Sequence, residues 1–146
     1  MLKTENEYKL AVQKLTDQRT RFTQQRDAYI QSGLEADELE RVLAPLRSFT
    51  MELEEEIADY ESLKRGEFTE LDGLRGIGTL LVRMRIASGM TQKELADKLG
   101  VDPSLVSRDE RNEYHGVTVD RAARIQEALG FELRSTVRSK NHPVQS

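Results

Sequence analysis

Apolar residues recur every seven positions through the first half of the chain. Tyr8, Leu15, Phe22 and Tyr29 form one row between Thr4 and about Gln31, a stretch without Gly or Pro. That spacing predicts a helix with an apolar seam. Its companion row is polar, because Val12 is followed by Arg19 and Arg26. Ser32-Gly33 ends the helix, with Gly33 suited to a left-handed residue. A second helix is predicted to start near Glu35–Asp37. Its rows are Leu39, Leu46, Leu53 and Tyr60, then Val42, Phe49 and Leu63, with Leu43 and Ile57 widening the stripe. Pro45 falls inside this pattern. It lacks an N–H and crowds the preceding turn, so either a kink or a break near Leu43 is expected there. Lys64-Arg65-Gly66 supplies the basic residues and Gly favoured at a helix end.

Two such helices joined by a short turn make an antiparallel hairpin or coiled coil, each arm about 40 Å long at 1.5 Å per residue. A two-helix hairpin leaves apolar surface uncovered. The expectation is a homodimer through Tyr8, Leu15, Phe22, Tyr29, Leu39, Leu46, Phe49, Leu53 and Tyr60. Docking of a different protein, or folding back onto the rest of the chain, are the other ways to cover that stripe. The domain division expected is 1–65 for the hairpin, 66–78 for a junction, 79–138 for a second domain and 139–146 for a flexible tail. The junction holds four Gly. Within it Phe68-Thr69-Glu70-Leu71 reads either as a short strand or as plain linker.

The pattern then changes to short helices punctuated by glycines. Thr79–Ser88 is a predicted helix ended by Gly89. Thr91-Gln92-Lys93-Glu94 is a capping box, in which the Thr91 hydroxyl accepts from the Glu94 N–H and Glu94 reaches back. The next helix closes at Gly100. Asp102 caps a third helix that carries Pro103 at its first position. Thr118 caps a fourth, Val119–Leu129, ended by Gly130. After it Phe131, Leu133, Ser135 and Val137 alternate with Glu132, Arg134, Thr136 and Arg138, a period of two that predicts a short strand at 131–137. This strand has two candidate partners, residues 68–71 and its own copy in a dimer.

Two short helices around a Gly-containing turn form a helix-turn-helix. The residues MTQKELADKLGVDPSLVSRDE resemble the Cro/repressor (XRE-type) DNA-binding family. Met90, Thr91, Gln92, Leu95, Ala96, Leu99, Gly100, Val101, Val106, Ser107, Arg108 and Glu110 carry the match. The resemblance covers about residues 79–131 and implies a lambda-repressor-like domain. The whole is then mainly all-α, with the hairpin first and a short strand last. Asn6, Glu7 and Tyr8 with the hairpin are similar to a subset of these regulators that includes antitoxins of the host-inhibition type.

The resemblance also implies roles. The recognition helix, about 103–111, enters the major groove and presents Pro103, Ser104, Ser107 and Arg108 to base edges. Arg108 can fork onto guanine O6 and N7 or instead meet a phosphate or solvent, and Ser107 can touch either a base or a phosphate. Gln92 donates to a phosphate and fixes register. Thr91 is chiefly a cap, and Lys93, Arg111 and Asn112 are backbone contacts. Arg85 and Glu110 form a structural salt bridge. Asp109 stands where the family has a large apolar residue, which leaves it exposed or paired with Arg108 or Arg111.

Composition narrows the alternatives. The 146 residues include no Cys and two His, which excludes a disulfide framework and a thiolate metal site. His115 and His142 lie in polar loops without neighbours to complete a metal or catalytic site, so no enzyme, metal or cofactor is expected. No apolar run reaches membrane-spanning length, and a cytoplasmic protein is expected. Residues 1–78 carry 11 Lys+Arg and 17 Asp+Glu, a net of −6, while 79–146 carry 11 and 9, a net of +2. The acidic half repels nucleic acid and the other half tolerates it. The function expected is therefore a sequence-specific regulator, a repressor or self-repressing antitoxin, binding double-stranded DNA as a dimer. The alternative is a protein-interaction module or antitoxin that works mainly by holding a partner protein on the hairpin.

Overall fold

The structure is a computed structural model that describes residues 1–71 and 73–141. Helices α1 (Glu5–Gln31) and α2 (Ala36–Lys64) form the hairpin. A 3-10 turn, Leu74–Gly76, leads into α3 (Ile77–Ser88), α4 (Gln92–Leu99), α5 (Pro103–Arg111) and α6 (Val119–Leu129). Helix α1 opens with a reciprocal capping box: Thr4 Oγ1 accepts from the Glu7 N–H, and the Glu7 carboxylate accepts from the Thr4 N–H. That arrangement satisfies two orphan donors at once. Helix α2 runs through Pro45 without a break.

The hairpin seam takes the row three residues after the first on α1 and the row four residues after it on α2. On α1 the companions of Tyr8, Leu15, Phe22 and Tyr29 are Ala11, Gln18 and Gln25, all wholly or partly covered. Val12 and Arg19 point outward, and Arg19 instead reaches Glu54 on α2 at 3.0 Å. On α2 the seam is Leu39, Leu43, Leu46, Thr50, Leu53, Ile57 and Tyr60. Val42 and Phe49 stay 39% and 42% exposed. Ala11, Leu15, Leu53 and Ile57 make the hairpin's own apolar cluster.

Tyr60 and Leu63 belong to the main core together with Val82, Leu95, Val106 and Ile125 of the C-terminal helices. The end of α2 therefore packs into the helix-turn-helix half. Tyr8 stacks on Tyr60 with ring centroids 4.8 Å apart. Each hydroxyl donates to a carboxylate on the opposite arm, Tyr8 to Glu61 at 2.9 Å and Tyr60 to Glu5 at 3.0 Å.

One expectation for the connecting segments fails: residues 131–137 form no strand. Of the two readings open for 68–71, strand or linker, the structure has the linker. The two segments still lie side by side, with Phe68 edge-on to Phe131 at 5.6 Å. The alternating pattern supplies two different faces, but a strand needs a backbone ladder. No backbone hydrogen bond joins these segments among the described residues. The tail expected at 139–146 and His142 fall outside the described residues from position 142 onward.

Candidate nucleic-acid interface

The second short helix of the pair is set by its caps. Asp102 accepts from the Ser104 N–H at 2.8 Å, and Pro103 takes the first helical position. The bonds from Ser104 hold the Asp102 carboxyl below the usual carboxylate range. Before α4, Thr91 Oγ1 accepts from the Glu94 N–H at 3.1 Å. The Thr91 hydroxyl also contacts the Glu94 carboxylate at 3.2 Å, in place of the expected return bond to the Thr91 backbone.

Helix α5 divides into two faces. Val106 and Glu110 are buried. Ser104, Ser107, Arg108 and Arg111 follow the i, i+3, i+4, i+7 rule and share the outer side. Ser107 is half-covered and the other three are exposed, as are Pro103 and Asn112. Thr91 and Lys93 are exposed at the start of α4, with Gln92 half-buried. Lys93, Arg108 and Arg111 form no ion pair among the described residues, so their charges are free for a polyanion.

The face behind is locked. Arg85 forks onto Glu110, with Nε to Oε2 at 2.5 Å and Nη2 to Oε1 at 2.8 Å. Both side chains are almost wholly buried. Arg85 also donates to the carbonyls of Met90 at 2.8 Å and Lys3 at 2.6 Å. Lys3 Nζ donates to the Glu110 carbonyl at 2.6 Å. Gln92 joins this network through Nε2 to Glu110 Oε1 at 3.0 Å. One of its two amide hydrogens is therefore committed inside the protein, which the expectation of a pure phosphate donor did not include. The network ties the starts of α1 and α4 to the end of α5.

Asp109 departs from each of its expected states. It is half-buried and pairs with Arg121 of α6 through a very short contact. The residues expected as partners, Arg108 and Arg111, stand one and two positions away, where helix side chains do not face each other. Beyond α5 the chain turns through Glu113 and Tyr114 at φ of +53° and +52°. Tyr114 is thereby buried, and burial together with the nearby Glu110 and Asp109 charges pushes its hydroxyl well above the usual range. Among the described residues its oxygen has no hydrogen-bond partner.

A cleft of about 280 Å³ opens at the start of α4, lined by Lys3, Lys64 and Lys93 beside Thr91 and Gln92. Sequence reasoning did not reach Lys3 and Lys64. Both lie in the acidic half, far from the motif in the chain, and only the docking of α1 and α2 brings them there. His115 is exposed in its loop. Among the described residues, no group of acidic, His or Cys side chains could hold a metal, and no helix is long and apolar enough to cross a membrane.

A capped helix pair with a cationic outer stripe and a buried arginine–glutamate lock defines a helix-turn-helix DNA-binding domain. Residues 81–135 match the helix-turn-helix family. Over this stretch the chain carries a helix-turn-helix domain of the Cro/C1 (XRE) form, the form of DNA-binding transcription regulators, while α1 and α2 lie outside the match. No curated protein and no solved structure gives a significant match.

Proposed function

We propose that the chain is a dimeric, sequence-specific transcriptional repressor that lays α5 in the major groove. The stripe of Ser104, Ser107, Arg108 and Arg111 on a helix locked from behind carries this reading. Arg108 reads a guanine and Ser104 and Ser107 meet base edges or phosphates, while Pro103 fixes the helix start at the groove. Thr91, Gln92, Lys93, Arg111 and Asn112 take the flanking phosphates, joined by Lys64 from α2. The acidic outer part of the hairpin points away from the duplex. Footprinting on the DNA upstream of its own gene tests this. Two protected half-sites about 34 Å apart, one helical turn, are expected for a dimer on one face. A single unpaired footprint contradicts the dimeric part, and protection without sequence preference contradicts the specific part.

A second reading rests on the hairpin's outer surface. Val42 and Phe49 are exposed there on one row of α2, and Glu52 and Glu56 lie exposed along the same side. An apolar patch edged by carboxylates suits a basic protein partner, as a self-repressing antitoxin requires. Co-purification of a small basic protein encoded beside the gene, lost on Phe49→Glu, is the outcome that favours it.

A further inference from the structure

Most residues expected to hold two copies together are consumed inside one chain. Leu15, Leu53 and Tyr60 are buried in the hairpin or its junction, and Tyr8 stacks on Tyr60. The hairpin seam is thus covered without a second copy. The segment after α6 is in the opposite condition. From Glu132 to Arg138 it is exposed, has no helix or strand, and makes no backbone hydrogen bond among the described residues. Leu133 is 42% and Val137 89% exposed. Phe131 anchors its first residue against Phe68 at 5.6 Å, and Gln126 Nε2 donates to the Phe131 carbonyl at 3.1 Å.

We propose that residues 131–138 pair antiparallel with the same segment of a second copy, with Ser135 on the two-fold axis. The inference rests on the dimeric part of the reading above and assigns its surface. A two-fold axis through an antiparallel pair sets each residue opposite one of the same parity, so apolar face meets apolar face. With Ser135 on the axis, Leu133 lies opposite the copy's Val137, and Glu132 opposite its Arg138. Arg134 then meets Thr136. Symmetry repeats each pairing, giving two opposite-charge pairs and two apolar pairs. Moving the axis to Arg134 sets that arginine against itself. Moving it to Thr136 sets Arg134 against Arg138. Like charges directly opposite are destabilising, so among the registers that pair most of the segment the charge pattern favours Ser135. The alternation that makes no strand in one chain finds its ladder in two.

Because the chain has no cysteine, single cysteines report the pairing without background. Full-length chains carrying Leu133→Cys, Ser135→Cys or Val137→Cys, and Phe49→Cys on the hairpin, are oxidised mildly and resolved without reductant. On the axis the two Cα atoms lie about 5 Å apart, within disulfide reach. At 133 and 137 they lie about 13 Å apart, four residues out of step. Crosslinking that peaks at Ser135→Cys supports the proposal. A peak at 133 or 137, or crosslinking at 49 with none at 135, overturns it and leaves a dimer built elsewhere. Sedimentation of the unaltered chain as a monomer at every concentration defeats the dimeric reading as well. A charge swap makes a second check. Glu132→Arg weakens the dimer roughly tenfold or more, and adding Arg138→Glu restores it. A dimer indifferent to both changes also overturns the proposal.

Discussion

At the residue scale, Arg85 and Glu110 show why a buried charge pair is costly to break. Each arm of the fork finds a partner, and neither side chain is open to water. Arg85→Ala strands the Glu110 carboxylate, and the expected loss is about 3–5 kcal/mol in chemical denaturation. Replacing both residues with well-packed apolar side chains is expected to cost far less. Gly78 makes a second demand. A Cβ there would stand 1.9 Å from the Glu113 carbonyl oxygen, a backbone atom that cannot swing away. Gly78→Ala is expected to cost about 1–3 kcal/mol or more in thermal or denaturant melts, in the manner of overpacking. The fork was legible because both residues occupy motif positions. Gly78 was not, since a glycine-rich stretch reads as linker until the turn at Glu113 and Tyr114 arrives against it. Asp109 was misread for the same reason: its partner Arg121 sits on the next helix, and helical spacing describes one helix at a time.

At the element scale, each helix was legible and its facing was only partly so. Caps at Thr91, Asp102 and Thr118 fix their helices locally, and a local signal survives in the sequence. The hairpin rows were harder. A period of seven is compatible with companions three or four residues on, and Val12 is more apolar than Ala11. Packing chose Ala11 because a small residue lets the helices approach. The period-two run at 131–137 shows the complementary failure, a face pattern without a ladder. The stacked tyrosines at the base of the hairpin make a prediction about pH. Burial and the hydrogen bond to Glu5 push Tyr60 up to about 12, from an ordinary value of 10. The folded state therefore holds a proton that the unfolded state gives up between about pH 10 and 12. Stability from this group is complete below pH 10 and declines as pH rises through that window. Tyr60→Phe is expected to flatten the decline, measured as denaturation midpoint against pH.

At the scale of the whole molecule, hairpin and DNA-binding domain share one core and one polar network. Tyr60 and Leu63 lie in the cluster that contains Val82, Leu95 and Ile125. Lys3 accepts from Arg85 and donates to the end of α5. A division of the chain by composition separates an acidic half from a basic one, yet the fold stitches Lys3 and Lys64 into the basic side. That stitching includes contacts between residues 82 and 107 positions apart, which no local pattern encodes. It implies that the start of α1 supports the orientation of α5. Lys3→Ala is expected to weaken DNA binding several-fold with little change in melting temperature, as measured by gel shift beside a thermal melt.

Sequence-specific DNA binding through α5 is tested most directly by fluorescence anisotropy of the intact chain on the DNA upstream of its own gene and on random DNA. It is run across a salt series, with the unaltered chain beside Arg108→Ala. Tight binding to the upstream fragment and a steep fall with salt are expected. Arg108→Ala is expected to lose roughly ten- to hundredfold of the preference for that fragment, as one bidentate guanine contact implies. Equal and weak binding to both DNAs, unchanged by Arg108→Ala, contradicts specific binding through α5 and leaves the outer face of the hairpin as the working surface.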